Sequence, residues 1–208
     1  MKVIGITGGI GAGKTKVLDY IKESYCCRVI LADEVGNKVK EPGEECYKEL
    51  VNLLGSSILN SDGSINKMAM AETIFKNTEL RNKVNDIIHP AVTRYILGEI
   101  EKERVAEKLD FFFVEAALLI ECGYEAYVDE LWYIHADKEV RKQRLRQYRN
   151  YSDEKMEDIM KGQLSETDFK KHCKVVINNS MDFEDTKKQI DEKLGEILWR
   201  IQKNTQDN

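Results

Sequence analysis

The strongest constraint on this chain lies in its first sixteen residues. Lys2-Val3-Ile4-Gly5-Ile6-Thr7 is a short apolar run rich in β-branched side chains, and the turn Gly8-Gly9-Ile10-Gly11-Ala12-Gly13 follows it. Val17, Leu18 and Ile21 then recur at helical spacing. The order is strand, glycine turn, helix, and within it Gly8, Gly13, Lys14 and Thr15 satisfy G-x-x-x-x-G-K-[ST]. The chemistry asks for these residue types. Positions without side chains let backbone N–H groups converge on phosphate oxygens, and the helix N-terminus adds positive potential. Lys14 can reach β- and γ-phosphates, Thr15 can ligate Mg²⁺, and the backbone N–H of Lys16 lies in the first helical turn, where it can face an α-phosphate. Gly8, Gly9, Gly11, Ala12, Gly13, Lys14, Thr15 and Lys16 are thus expected to hold a nucleoside triphosphate with its magnesium. The competing reading is a structural glycine turn with an exposed lysine.

Length and charge narrow the setting. At 208 residues the chain suits one domain with room for a lid or an insertion. Its formal net charge of −5 disfavours a nucleic-acid-coating role, and any polyanion has to be held by local clusters. Cys26, Cys27, Cys46, Cys122 and Cys173 are odd in number and contain no C-x-x-C pair, which fits reduced thiols without a zinc site. No apolar run approaches membrane-spanning length, and the chain opens on a core strand rather than a charged leader. The expectation is a cytoplasmic protein acting on a small molecule, with neither membrane nor nucleic acid as partner and with the oligomeric state open, a monomer being favoured.

After the first helix, Arg28-Val29-Ile30-Leu31 reads as a second buried strand, with Asp33 just past its end. Ligands of open α/β sheets sit beyond the carboxyl ends of strands, so Asp33 is a candidate general base; a helix N-cap is the equal alternative. From about 34 to 104 apolar residues recur at three and four, with turns at Glu41-Pro42-Gly43 and Ser61-Asp62-Gly63. This predicts a helical insertion that covers an acceptor. His89-Pro90 within it reads as a helix start, because proline suits the first helical position and its predecessor avoids the α region.

Phe111-Phe112-Phe113-Val114-Glu115 is an apolar strand closed by a carboxylate, an arrangement that places the acid near Mg²⁺ or its water shell. Glu115 could instead cap the following segment. Leu131-Trp132-Tyr133-Ile134 reads as a further strand with a structural His135 at its end. Lys138 to Arg149 is strongly basic, with Glu139 its single acid. At 100° per residue Lys142, Arg146 and Arg149 share one face, and Arg141 and Arg144 lie on another. A basic helix in an acidic chain with a phosphate loop suggests a lid over about 138–172, since guanidinium matches phosphate geometry. Cys173 to Asn179 gives a last strand and Phe183 to Gln202 an amphipathic helix. Strands alternating with helices imply an α/β fold of three α/β/α layers around a parallel sheet, the architecture of P-loop kinases, in a single domain over 1–208.

These residues together resemble the dephospho-CoA kinase family. The resemblance rests on Ile6 to Thr15, Ala32-Asp33, Glu41-Pro42-Gly43, Asp62-Gly63, Ile74-Phe75, Ile88-His89-Pro90, Leu118-Leu119 with Glu121, Arg144-Leu145, Gln163 and Val176-Ile177-x-Asn179, in the family's order. It implies ATP-dependent phosphorylation of the ribose 3′-hydroxyl of dephospho-CoA, the final step of coenzyme A synthesis. It further implies Asp33 as the base, Arg81, His89 and Glu115 on the acceptor side, Asn179 on the nucleotide side, and Lys14 with a lid arginine in catalysis. The chain departs from the pattern in three places. Lys16 replaces a small hydroxylated residue, Ala116-Ala117 stands where a proline is usual, and the second lid arginine falls on Tyr148, with Arg149 one place later; the lid arginine is therefore Arg144 or Arg149.

Two further readings remain at the level of sequence. One is a kinase for another small alcohol, such as a nucleoside or a shikimate-like acceptor. The other is a GTP switch, for which Asp33-Glu34-Val35-Gly36 spells D-x-x-G while no N-K-x-D occurs. A dinucleotide site fails, because the third glycine of G-x-G-x-x-G after Gly9 and Gly11 would fall on Lys14.

Overall fold

The opening apolar run becomes β1 (Lys2–Thr7), and its neighbours explain why it can be so hydrophobic. It pairs in parallel with β3 (Phe111–Glu115) on one side and β4 (Glu130–His135) on the other; β5 (Val175–Asn178) adds to β4, and β2 (Cys27–Leu31) lies outside β3. The order β2-β3-β1-β4-β5 puts β1 at the centre. In the computed structural model, residues 1–75 and 77–206 are described.

A strand buried on both faces reads as a continuous apolar run rather than an alternation. Phe111, Phe112, Phe113 and Val114 do so, each fully buried, as are Val3, Ile4, Ile6 and Trp132. Removing one such phenylalanine from water is worth roughly 1.5–3 kcal/mol. Helix α1 (Lys14–Ser24) turns Val17, Leu18 and Ile21 inward, and the C-terminal helix Phe183–Gln206 does the same with Ile190, Leu194 and Ile197. The two are pinned by one carboxylate: Tyr20 and Tyr25 each donate to Asp191 Oδ1 at 2.7 Å. Between β4 and β5 run three short helices, Lys138–Arg149, Asp153–Lys161 and Glu166–His172. Phe169 of the last stacks on Tyr133 of β4, with centroids 4.6 Å apart and rings inclined by 4°. These elements belong to one compact unit, Met1–Val29 with Glu107–Asn208.

The second compact unit, Ile30–Ala106, is helical. It contains α2 (Ala32–Lys38), α3 (Tyr47–Leu54), α4 (Lys67–Phe75) and α5 (Thr78–Ala106). In chain order the helices of the first unit named above are then α6, α7, α8 and α9. Two tight turns punctuate the helical unit, with Gly43 at φ +94° and Gly63 at φ +82°. The expectation of a helix start at His89-Pro90 is overturned. Pro90 lies inside the 29-residue α5, and His89 sits half-buried in its middle. Proline there removes the N–H that would meet the carbonyl of Asp86, a break that costs least where water can replace the donor. Both Asp86 and Pro90 are exposed, and the next carbonyl, that of Ile87, accepts from the Cys46 thiol at 3.5 Å.

Cys27, Cys46, Cys122 and Cys173, all at least half-buried, behave as small apolar residues, while Cys26 is exposed. Burial pushes the thiols of Cys27, Cys46 and Cys122 up, and that of Cys173 to about 12, so they stay protonated.

Candidate active site

The glycine turn leaves β1 at the centre of the sheet and enters α1 through Gly13, whose φ of +88° marks the left-handed region. Gly13 is the cap residue, no side chain caps the helix, and its first turn carries no acid. The first N–H groups of α1 are thus left for an external acceptor, with the helix dipole reinforcing an anion there. Lys14 folds back over this turn: its Nζ donates to the Gly8 carbonyl at 2.8 Å and lies 3.4 Å from Glu115 Oε1. Glu115 occupies the end of β3, in register with Ile6, which brings the two sequence candidates into one ion pair. Thr15 is exposed in the first turn of α1. A hydroxyl and one carboxylate form the sparse oxygen set that suits Mg²⁺, which retains waters and takes phosphate oxygens from a nucleotide; the donors present fit that ion.

Behind the turn stands a second layer of side chains. Asn179, buried past the end of β5, donates from Nδ2 to the Ala12 carbonyl at 2.8 Å and accepts at Oδ1 from the Thr186 hydroxyl at 3.0 Å. Arg144 donates to the Ala12 carbonyl at 3.3 Å and to the Asn179 carbonyl at 2.8 Å. Arg141 donates from Nε to the Ile10 carbonyl at 2.8 Å. A methyl group at Gly13 would collide with the Asn179 amide, and one at Gly11 would stand 2.9 Å from the Arg141 carbonyl. Glycine is required at these positions by packing from behind.

The basic helix α6 therefore rests directly on the phosphate loop. Its Arg141 and Arg144 face meets the loop, and burial presses both guanidinium groups below their ordinary value without discharging them. The opposite face serves α7: Lys142 and Lys138 meet Glu157 at 2.5 and 3.0 Å, and Arg146 meets Asp153 at 2.7 Å. Arg149 closes α6, exposed, on the side of Arg146. Of the two lid arginines left open by the sequence, Arg144 is the one that the fold brings to the loop. Asn179 reaches the loop through the Ala12 carbonyl, and Ala12 donates its own N–H to the Gly9 carbonyl at 3.1 Å. The Lys16 side chain is turned onto the Phe183 ring, 4.1 Å from its centroid, away from the role that sequence reading assigns to its backbone N–H alone.

Asp33, Arg81 and His89 lie in the helical unit. Asp33 is exposed in the first turn of α2, and the cap of that helix is Leu31 with no side-chain hydrogen bond, so the capping alternative is excluded. Arg81 is exposed near the start of α5. One residue that sequence reasoning passed over is Lys40: burial and the neighbouring Lys67 lower its ammonium, while the Asp33 carboxylate acts to raise it. Arg141 and Gln163 were likewise given no role. The signal for Arg141 was the helical face that it shares with Arg144, and that for Gln163 was its place among the residues that carry the family resemblance.

The family model for dephospho-CoA kinase matches residues 2–185. The chain belongs to the dephospho-CoA kinase family. A relative named as a dephospho-CoA kinase, from Dehalococcoides mccartyi, is 36% identical over 187 residues, 90% of this chain and 93% of that one. A crystal structure of TT1252 from Thermus thermophilus superposes with a TM-score of 0.78 at 25% identity, covering 94% of this chain and 97% of the other. A dephospho-CoA kinase from Campylobacter jejuni shares the fold at a TM-score of 0.69 and 20% identity, covering 98% of each chain. Membership in the dephospho-CoA kinase family accounts for the phosphate loop and the helical unit together, because the match runs through both.

Proposed function

We propose that this chain transfers the γ-phosphoryl group of ATP to the ribose 3′-hydroxyl of dephospho-CoA, giving coenzyme A and ADP as the last step of coenzyme A synthesis. The observation that carries this is the family match across residues 2–185. A phosphate loop alone would serve many kinases, but the match also includes the helical unit.

The amides of the loop and of the first turn of α1 take the triphosphate. Lys14 exchanges its contact with the Gly8 carbonyl for the β- and γ-phosphates, an ammonium already placed at the loop. Thr15 and Glu115 would hold Mg²⁺, directly and through water, and the ion would supply neutralisation of phosphate charge. Arg144, fixed by the Ala12 and Asn179 carbonyls, has further N–H groups with which to meet charge on the transferring group. Asp33, just beyond the carboxyl end of β2, accepts the proton of the attacking hydroxyl, while Arg81 and His89 bind the acceptor. The oxygen–phosphorus bond to the acceptor forms as the β,γ-bridging bond breaks, and the proton leaves on Asp33. The chain acts as a cytoplasmic monomer in this reading; among the described residues no helix is long and apolar enough to cross a membrane.

The test is direct. Purified protein with ATP, Mg²⁺ and dephospho-CoA yields coenzyme A and ADP in equal amounts. ADP without coenzyme A, or equal rates on nucleosides and shikimate, would overturn the assignment.

A further inference from the structure

The amides of a phosphate loop bind an anion only if their N–H groups point the same way, and a glycine-rich backbone does not ensure this by itself. Each trans peptide is planar, with its C=O and its N–H pointing in opposite directions. A donor that captures a carbonyl behind the loop therefore sends the next residue's N–H out in front. Two carbonyls of this loop are captured from behind. That of Ala12 is held by Asn179 and Arg144, which aims the Gly13 N–H outward. That of Ile10 is held by Arg141 Nε at 2.8 Å, which aims the Gly11 N–H outward.

The Ile10 residue is secured on its other side as well. Its N–H donates to Gln163 Oε1 at 3.1 Å, and the same oxygen accepts from Arg141 Nη2 at 2.8 Å. Arg141, Gln163 and both polar groups of Ile10 form a closed ring of three hydrogen bonds. Gln163 comes from the turn between α7 and α8, where Gly162 ends the first helix. The N–H groups of Ile10 and Ala12 are thus both taken up inside the protein, the second by the Gly9 carbonyl. Those of Gly11 and Gly13 remain for an anion.

We propose that Arg141, held by Gln163, is a positioning residue for the nucleotide: by anchoring the Ile10 carbonyl it keeps the Gly11 N–H aimed at the phosphates. Its role is that of a hydrogen-bond donor to the backbone, not that of a positive charge facing the triphosphate. The proposal rests on the phosphoryl-transfer reading above for the identity of the anion.

The two roles separate by substitution. Arg141→Gln places a neutral amide nitrogen at the same position along the side chain as Nε, whereas Arg141→Lys keeps the charge and lacks that nitrogen. Arg141→Met removes both. Arg141→Met is expected to raise the KM for ATP about tenfold, the scale of one charge-assisted hydrogen bond, while the KM for dephospho-CoA stays put. Arg141→Gln is expected to recover most of that loss and Arg141→Lys little. Recovery by lysine but not glutamine, or an unchanged KM for ATP in Arg141→Met, would overturn the proposal. The amide resonance of Gly11, followed while inorganic pyrophosphate is titrated, supplies a readout independent of turnover. It should shift in the native chain and in Arg141→Gln, and lose that response in Arg141→Met. If Arg141→Met fails to fold, the comparison of the glutamine and lysine variants still decides. A native chain that makes no coenzyme A but shows this pattern with pyrophosphate would discard the reaction and keep the anchor; coenzyme A formation without the pattern would do the reverse.

Discussion

Two residues show how differently one kind of evidence bears on chemistry. Asp33 could have been the cap of α2, but Leu31 holds that position and the Asp33 carboxylate is left exposed in the first turn. A base in that place acts on turnover and not on the nucleotide. Asp33→Asn is thus expected to lower kcat by about 10²–10⁴-fold with the KM for ATP nearly unchanged, as steady-state kinetics with varied ATP will show; unaltered kcat would remove the residue from the mechanism. Gly13 acts on binding instead. Alanine there must adopt a φ near +88°, a conformation costing about 1–2 kcal/mol, and its methyl group must displace the buried Asn179 amide from the Ala12 carbonyl. Gly13→Ala is expected to weaken ATP binding by about tenfold or more and to lower the melting temperature together with it, by calorimetry and thermal unfolding. Weakened binding at an unchanged melting temperature would show that the methyl group is accommodated without disturbing Asn179.

At the scale of elements, what was legible in the sequence followed locality. The strand, loop and start of α1 are specified by contiguous residues, so β1, the turn and the inward positions of α1 could be read directly. The four-residue apolar core of β3 and its terminal Glu115 were equally local. The break at Pro90 was misread because the preference of proline for a first turn is statistical, and at the exposed Asp86 and Pro90 the missing hydrogen bond costs little enough for the helix to continue. The two faces of α6 could be separated by angle, but angle does not tell which face meets the loop; that depends on what α7 offers. Asp153 and Glu157 take the Lys142 and Arg146 face, which leaves Arg141 and Arg144 for the phosphate loop. This pairing has a pH signature. Hydrogen bonds from Lys142 and Lys138 lower the Glu157 carboxyl from 4.5 to about 2. A carboxyl depressed by folding stabilises the protein above its unfolded pKa and loses that contribution as pH falls through its folded one. The α6–α7 clasp is expected to be intact above pH 4.5 and to loosen from there toward about pH 2. Protection of the α7 amides from hydrogen exchange, measured against their intrinsic rates at each pH, should fall over that interval in the native chain, and Glu157→Gln should remove that fall; identical profiles would mean that the clasp holds nothing.

The whole molecule carries five more negative than positive charges, yet it is expected to hold a tetra-anionic nucleotide. Long-range attraction cannot be the cause, since the net field repels ATP. What remains is the local arrangement of Lys14, Arg144, the uncapped start of α1 and the outward amides, all within the unit built from Met1–Val29 and Glu107–Asn208. An arrangement of this kind exists only in the folded state, so ligand binding must appear as stability. ATP with Mg²⁺ at about one hundred times its dissociation constant adds about 2.7 kcal/mol to unfolding. For a chain of this length each kcal/mol moves the midpoint by about 2–4 °C, giving an expected rise of about 5–10 °C. Partly buried charges are screened less than exposed ones, so raising the salt to about 0.3 M should leave most of that rise in place. Differential scanning fluorimetry with and without added salt measures both quantities. A rise that vanished with salt would assign the nucleotide to exposed surface lysines, and no rise at all would remove ATP from the loop.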